Sequence, residues 1–182
     1  KRQKSILEES LKILENISKT NNVLWLWFVP YVNLVAQTVD TLDSQATETG
    51  LIAKHLATAQ NEAPEAGHVL VSTVQGVASA RSRKLGYTDK LDDDRRSLAT
   101  YFELARARGL EIGLVVDEAH IALDSATEFG HFVKWLKADY LLMASATPKD
   151  ARLNEFIASA GNIAFKAFSV SRADVVAERL NK

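Results

Sequence analysis

Seven consecutive apolar residues, Val23-Leu24-Trp25-Leu26-Trp27-Phe28-Val29, run without a polar interruption and stop at Pro30. A strand with one wet face alternates apolar and polar side chains; this one does not, so both of its faces must be covered. Pro30 ends it, because proline cannot donate to a sheet ladder. The pattern is that of a central strand in a sheet covered by helices. Trp25 and Trp27 share one face of it, which predicts packing under helices rather than stacking on bases.

The rest of the chain alternates the two periodicities. Apolar residues at helical spacing predict a helix over Ser5–Ile17, through Ile6, Leu7, Leu11, Ile13, Leu14 and Ile17. Another is expected over Asn33–Leu42, and a second helical piece from Gln45 to about Ala59. Asn61–Gly67 reads as a loop punctuated by Pro64 and Gly67, and His68–Thr73 as a short strand ending in hydroxyls. Arg81–Lys90 is basic and irregular. Asp92-Asp93-Asp94 has the place of an acidic helix start rather than of a metal site, with Leu98, Tyr101, Phe102, Leu104 and Ala105 forming the apolar face and Gly109 the stop.

Further on, the expected elements are a strand at Ile112–Val116, a helix burying Phe129, Phe132, Val133 and Leu136, and a strand at Tyr140–Ala144. A helix with Leu153, Phe156 and Ile157 inward, a strand at Ile163–Phe168 and a last helix over Ala173–Leu180 complete the list. Strand and helix alternate throughout, so the expected fold is α/β: three layers around a mainly parallel sheet.

With 182 residues, 47% of them hydrophobic and 25% charged, the chain has the make-up of one globular domain with a sizeable core. Its 22 basic and 23 acidic side chains leave a formal charge of -1, so any polyanion must be held locally. Cysteine is absent, which excludes disulfides, thiolate metal sites and cysteine nucleophiles and is compatible with a cytoplasmic location. The longest apolar run is too short to span a bilayer and no signal peptide is visible, so no membrane partner is expected.

The chemistry concentrates at Gly113-Leu114-Val115-Val116-Asp117-Glu118-Ala119-His120. A buried strand here delivers two adjacent carboxylates and a histidine to its C-terminal end, where open α/β sheets place their ligands. Burying a carboxylate costs free energy unless its charge is offset, so the pair suggests a hard cation such as Mg²⁺. The alternative is that Asp117 or Glu118 caps the next helix. His55, His68 and His131 are scattered without metal-ligand spacing.

Asp117-Glu118-Ala119-His120 followed by Ser145-Ala146-Thr147, one helix and one strand later, resembles the second and third motifs of superfamily 2 DEAD/DEAH-box helicases and translocases, in their first RecA-like domain. Pro30 with Leu34 and Gln37 is similar to the first nucleic-acid contact motif of that superfamily, and Val71-Ser72-Thr73-Val74-Gln75 to the next. The closing Ser171-Arg172-Ala173-Asp174-Val175-Val176 resembles the end of the first motor domain in the type III restriction enzyme branch.

The resemblance implies a RecA-like P-loop NTPase domain spanning residues 1–182, with ATP and Mg²⁺ as cofactors. It implies that Asp117 binds Mg²⁺ through water and that Glu118 orients the water attacking the γ-phosphate, while His120 senses the nucleotide. Ser145 and Thr147 would couple hydrolysis to movement. Pro30, Gln37, Ser72 and Thr73 would contact nucleic acid, DNA in preference to RNA. Arg81, Arg83 and Lys84 form a compact basic patch that either approaches phosphates or is a solvated surface. The implied partners are a second RecA-like domain and a modification methyltransferase subunit.

The sequence departs from the family in two respects: no Gly-x-x-x-x-Gly-Lys-Ser/Thr loop is present, Lys4-Ser5 lacking the glycines such a loop needs, and no second motor domain with its arginine finger is expected within the 182 residues. The expected domain is therefore N-terminally incomplete and inactive by itself. The alternative is a regulatory or structural α/β module that kept motor motifs without binding nucleotide.

Overall fold

The computed structural model describes residues 12–17, 22–78, 97–119 and 126–145, and positions 151 and 155. In chain order the elements are α1 (12–17), β1 (Val23–Val29), α2 (Val32–Asp43), α3 (Ala46–Thr49), β2 (Ile52–His55), α4 (Leu56–Ala59) and β3 (His68–Thr73). They continue with α5 (Val74–Ala78), α6 (Leu98–Ala107), β4 (Glu111–Val116), α7 (Ala126–Leu136) and β5 (Tyr140–Met143). The five strands form one sheet in the order β2-β3-β1-β4-β5, and every pairing is parallel. The expected helix segment before residue 12, the basic stretch Arg81–Lys90, Leu153, Phe156 and Ile157, the strand Ile163–Phe168 and the final helix Ala173–Leu180 lie outside the described residues.

All seven residues of β1 are buried, and its alternation splits them between two cores. Leu24, Leu26 and Phe28 join Leu70, Leu114 and Val116 beneath α4 to α7. Val23, Trp25, Trp27 and Val29 join Val69, Val71 and Val115 beneath Leu14 of α1 and Val39 and Leu42 of α2. Both tryptophans thus lie under helices, as their position on a doubly covered strand requires. Phe28 meets Phe129 and Phe132 of α7 edge-on, with ring centroids 5.3 and 5.6 Å apart. Such edge contacts add directional attraction to plain burial.

One close fit joins β1 to β4. Trp25 is in register with Gly113, and a Cβ at Gly113 would lie 2.1 Å from the indole Cε3. The ring crosses the space that any side chain at 113 would fill, and its centroid comes within 6.2 Å of that of Tyr140 on β5.

The expected helix from Gln45 to Ala59 is instead helix, strand and helix. Gly50, at φ +70°, ends α3 in the left-handed conformation, its amide donating to Ala46 O at 2.8 Å. The chain then has room for β2, which pairs with β3 at the sheet edge. Only four residues long and carrying Lys54, paired with Glu62, β2 is a blunted edge strand of the kind that resists further pairing. α6 also differs from expectation in its start. Its first turn carries no acidic residue; the cap is Ser97, whose Oγ accepts from Thr100 N at 3.2 Å. Asp92-Asp93-Asp94 lies outside the described residues.

At the opposite end from the strand C-termini, Asp139 ties the starts of β4 and β5 together. Its Oδ2 accepts the Ile112 amide at 2.7 Å, and its own amide donates to Ile112 O at 2.7 Å. Arg106 reaches the same carboxylate at 3.4 Å and donates to the carbonyls of Leu136 and Lys137 at the end of α7. The strand that delivers Asp117 is therefore anchored before it enters the core. No helix among the described residues is long and apolar enough to cross a membrane.

Candidate functional site

Because all five strands are parallel, their C-terminal ends open on one edge of the sheet. Val29 of β1 is level with Thr73 of β3, and Phe28 with Val116 of β4. Val116 is in turn level with Met143 of β5. Pro30, Ser72, Thr73, Asp117, Glu118 and Ser145 all follow from or belong to these ends, on four adjacent strands. Gln37 stands further along α2 and is exposed. His120, Thr147, Arg81, Arg83 and Lys84 lie outside the described residues.

The acidic turn is held by the backbone on both sides. Asp117 N donates to Phe28 O of β1 at 2.9 Å, and Ala119 N donates to Ala144 O, just past β5, at 2.8 Å. Ala144 N closes the ladder by donating to Val116 O at 3.0 Å. Between these anchors Glu118 takes φ +47°, a left-handed conformation in which a side-chain-bearing residue is uncommon. Asp117 stabilises the turn through its own side chain, Oδ1 accepting Glu118 N at 2.9 Å. No pattern in the sequence announces either the left-handed glutamate or the backbone link from Ala119 to Ala144, since both arise from tertiary pairing.

Burial raises the pKa of Asp117, and the neighbouring Glu118 carboxylate raises it further, while the amide hydrogen bond from Glu118 opposes the shift. The group is therefore one that a nearby cation would stabilise. Mg²⁺ binds through one or two carboxylates and retains several waters, so a closed protein cage is not required. Among the described residues no cluster of three or more acidic, histidine or cysteine side chains forms such a cage. Asp117 and Glu118 fit an open site of this kind.

On the other flank of β1, Thr73 Oγ1 accepts the Gly76 amide at 2.9 Å, turning the chain from β3 into α5. Gly76 has the space of a hydrogen where a larger residue would intrude: a Cβ there would stand 3.0 Å from Ser72 Oγ and 3.1 Å from Thr73 Oγ1. Among the described residues this edge thus carries its carboxylates after β4, while the ends of β1 and β3 are neutral and Ser72 and Thr73 bring hydroxyls.

The family model described as type III restriction enzyme, res subunit, matches residues 8–150. The matched span includes the acidic turn, Ser145 to Thr147 and both neutral strand ends, but not the tail Ser171 to Val176. No curated protein matches the chain.

Proposed function

The chain belongs to the type III restriction enzyme res-subunit family of helicase-like, ATP-dependent nucleic-acid motors, and from that premise we propose that it is the first RecA-like domain of a DNA translocase or helicase of restriction-modification type. The observation that carries the proposal is the acidic turn of β4 joined by backbone hydrogen bonds to the end of β5 at the ligand-bearing edge of a parallel sheet.

On this reading Asp117 holds Mg²⁺ through water, and the metal, when bound, supplies positive charge to the phosphates of ATP. Glu118 orients the water that attacks the γ-phosphate, its carboxylate aimed by the left-handed turn. His120 senses the nucleotide. Ser145 and Thr147 couple its state to movement on nucleic acid, and the link from Ala144 to Ala119 gives that coupling a short path. Pro30, Gln37, Ser72 and Thr73 meet the nucleic acid, DNA in preference to RNA, with Arg81, Arg83 and Lys84 as further contacts. A second RecA-like domain and a methyltransferase subunit are the proposed partners.

Since the 182 residues contain no Gly-x-x-x-x-Gly-Lys-Ser/Thr loop, the test uses a protein that joins this chain to such a loop upstream and a second motor domain downstream. Its DNA-stimulated ATP hydrolysis is compared with that of its Glu118→Gln variant. Hydrolysis that is lost in the variant while ATP binding persists supports the proposal. An inactive parent protein would leave the regulatory module as the better description.

A further inference from the structure

We propose that Tyr31, flanked by Val32, is a stacking platform for an unpaired nucleobase beside the neutral strand ends of the site edge. The proposal rests on the nucleic-acid reading above and adds to it a residue and a mode of contact. Tyr31 is 58% exposed and Val32 77%, directly after a central strand whose seven residues are all buried. Among the described residues the other exposed large hydrophobic is Ile52, on the edge strand β2. An exposed aromatic beside an exposed valine, at the end of the central strand, is an apolar surface at the place where this fold holds ligands.

The Tyr31 backbone opens α2, its carbonyl accepting the Leu34 amide at 3.0 Å, while its side chain is left to the surface. Tyr31 is the N-cap residue of α2, in extended conformation, and its side chain makes no capping hydrogen bond. It lies two residues beyond Val29, which is level with Thr73, and three beyond Phe28, whose carbonyl holds the acidic turn. Residue 31 therefore follows the strand that lies between the hydroxyl-bearing end of β3 and the carboxylates after β4.

Charge selects the kind of contact. Residues 30–39 and 69–78, which supply the β1 and β3 ends, contain no charged side chain. On the other flank, directly after β4, stand the carboxylates of Asp117 and Glu118, which repel phosphate. The β1 and β3 segments thus offer a phosphodiester backbone no cationic side chain of their own, whereas every base has a neutral π-face and stacking on an aromatic ring is indifferent to sequence. Asn33 and Gln75, both exposed, add neutral hydrogen-bonding groups to the same two segments. The phenol suits a site that is apolar on one side and wet on the other.

The test measures binding of the 182-residue chain to a fluorescent single-stranded oligothymidylate and to a strand of equal length made of abasic units. Tyr31→Ala is expected to weaken binding to the base-bearing strand by roughly 5- to 160-fold, the range for one stacked base, and to leave abasic binding unchanged. Tyr31→Phe and Tyr31→Trp should keep the affinity, because the face and not the hydroxyl is used. The ratio of wild-type to Tyr31→Ala affinity should stay constant as salt rises, since no counterion is released by stacking. A single 5-iodouracil in the strand should cross-link to Tyr31 on irradiation.

Equal loss on both strands, or none on either, overturns the stacking proposal while leaving nucleic-acid binding intact. A wild-type chain that binds no oligonucleotide overturns this proposal together with the nucleic-acid reading at this edge. If Tyr31→Ala leaves oligonucleotide affinity unchanged but abolishes association with a second motor domain, the patch is a protein contact and the proposal fails. Circular dichroism of each variant checks the fold.

Discussion

Replacing Gly113 by alanine tests the closest packing contact found between β1 and the strand that carries the site. The added Cβ would stand 2.1 Å from Trp25 Cε3, 2.3 Å from Cζ3 and 2.7 Å from Cδ2. Carbon atoms in contact settle at about 3.5–4.0 Å, so the nearest pair is roughly 1.5 Å too close. The indole is buried to 1% exposure within the core formed with Trp27, Val69 and Val115, so any shift of the ring must disturb that packing. Overpacking of this kind costs about 1–3 kcal/mol, and in a domain of this size each kcal/mol lowers Tm by about 2–4 °C. Alanine has a better backbone propensity than glycine within a strand, so any loss of stability must come from the clash. Urea unfolding followed by tryptophan fluorescence and far-UV circular dichroism measures it. Trp25→Leu alone leaves a cavity and destabilises, but it removes the ring that meets the new Cβ. Adding Gly113→Ala to Trp25→Leu should therefore cost little, with a coupling of about 0.5–3 kcal/mol between the two sites. A Gly113→Ala protein as stable as wild type, or one whose loss is the same in both backgrounds, refutes the packing argument.

Two further predictions concern protons. Because burial raises the pKa of Asp117, the folded chain holds that proton more tightly than the unfolded one, and native stability falls as pH rises from the unfolded carboxyl value through the folded one. Asp117→Asn removes the buried charge and keeps an oxygen for the Glu118 amide, so it should unfold at a higher temperature than wild type at pH 7, with the gap closing in acid. His68, buried at the start of β3, shifts the opposite way: desolvation first and Lys54 second lower its pKa, against the pull of Glu65, whose carboxylate is 3.6 Å away. Its contribution to stability is present above the unfolded histidine value, about 6.5, and is lost as pH falls through that value towards the folded one. His68→Gln should flatten the pH dependence of Tm in that window.

The legible part of the fold was the part governed by burial on both faces. β1 has one reading because an unbroken apolar run of seven has no wet side, and β3 and β4 follow the same logic, while β5 is only partly buried but is apolar along its whole length. β2 was lost because Ile52-Ala53-Lys54-His55 sits in a polar neighbourhood and is only partly buried. The signal that would have found it is Gly50, read as a helix stop rather than as a residue within a helix. α6 begins at Leu98 under a Ser97 cap, a start that its apolar spacing does not mark and that the acidic triplet, outside the described residues, does not supply to its first turn. At the site, the identity and order of Asp117, Glu118 and Ser145 can be read from strand ends, whereas the bonds that fix their relation cannot. They depend on which strands become neighbours, and the order β2-β3-β1-β4-β5 is not written in any local pattern.

The left-handed Glu118 gives this tertiary control a measurable form. An L-residue in that conformation costs roughly 1–2 kcal/mol relative to the right-handed one, and glycine does not carry the penalty. Three hydrogen bonds hold the turn against this cost: Asp117 N to Phe28 O, Glu118 N to Asp117 Oδ1, and Ala119 N to Ala144 O. A carboxylate is retained at a position where the backbone alone favours glycine, so the strain belongs to the placement of the side chain. Removing that side chain in two ways separates the two effects. Glu118→Ala and Glu118→Gly both lose the carboxylate, but only the glycine relieves φ +47°. The glycine variant should therefore be more stable than the alanine variant by about 0.5–1 kcal/mol, after allowing for the greater freedom of glycine in the unfolded chain. Both should be equally deficient in ATP hydrolysis when placed in a complete motor. Paired urea denaturation curves decide the first point. If alanine proves the more stable, the turn is not held in the left-handed conformation in solution, and the aim of Glu118 does not come from the sheet.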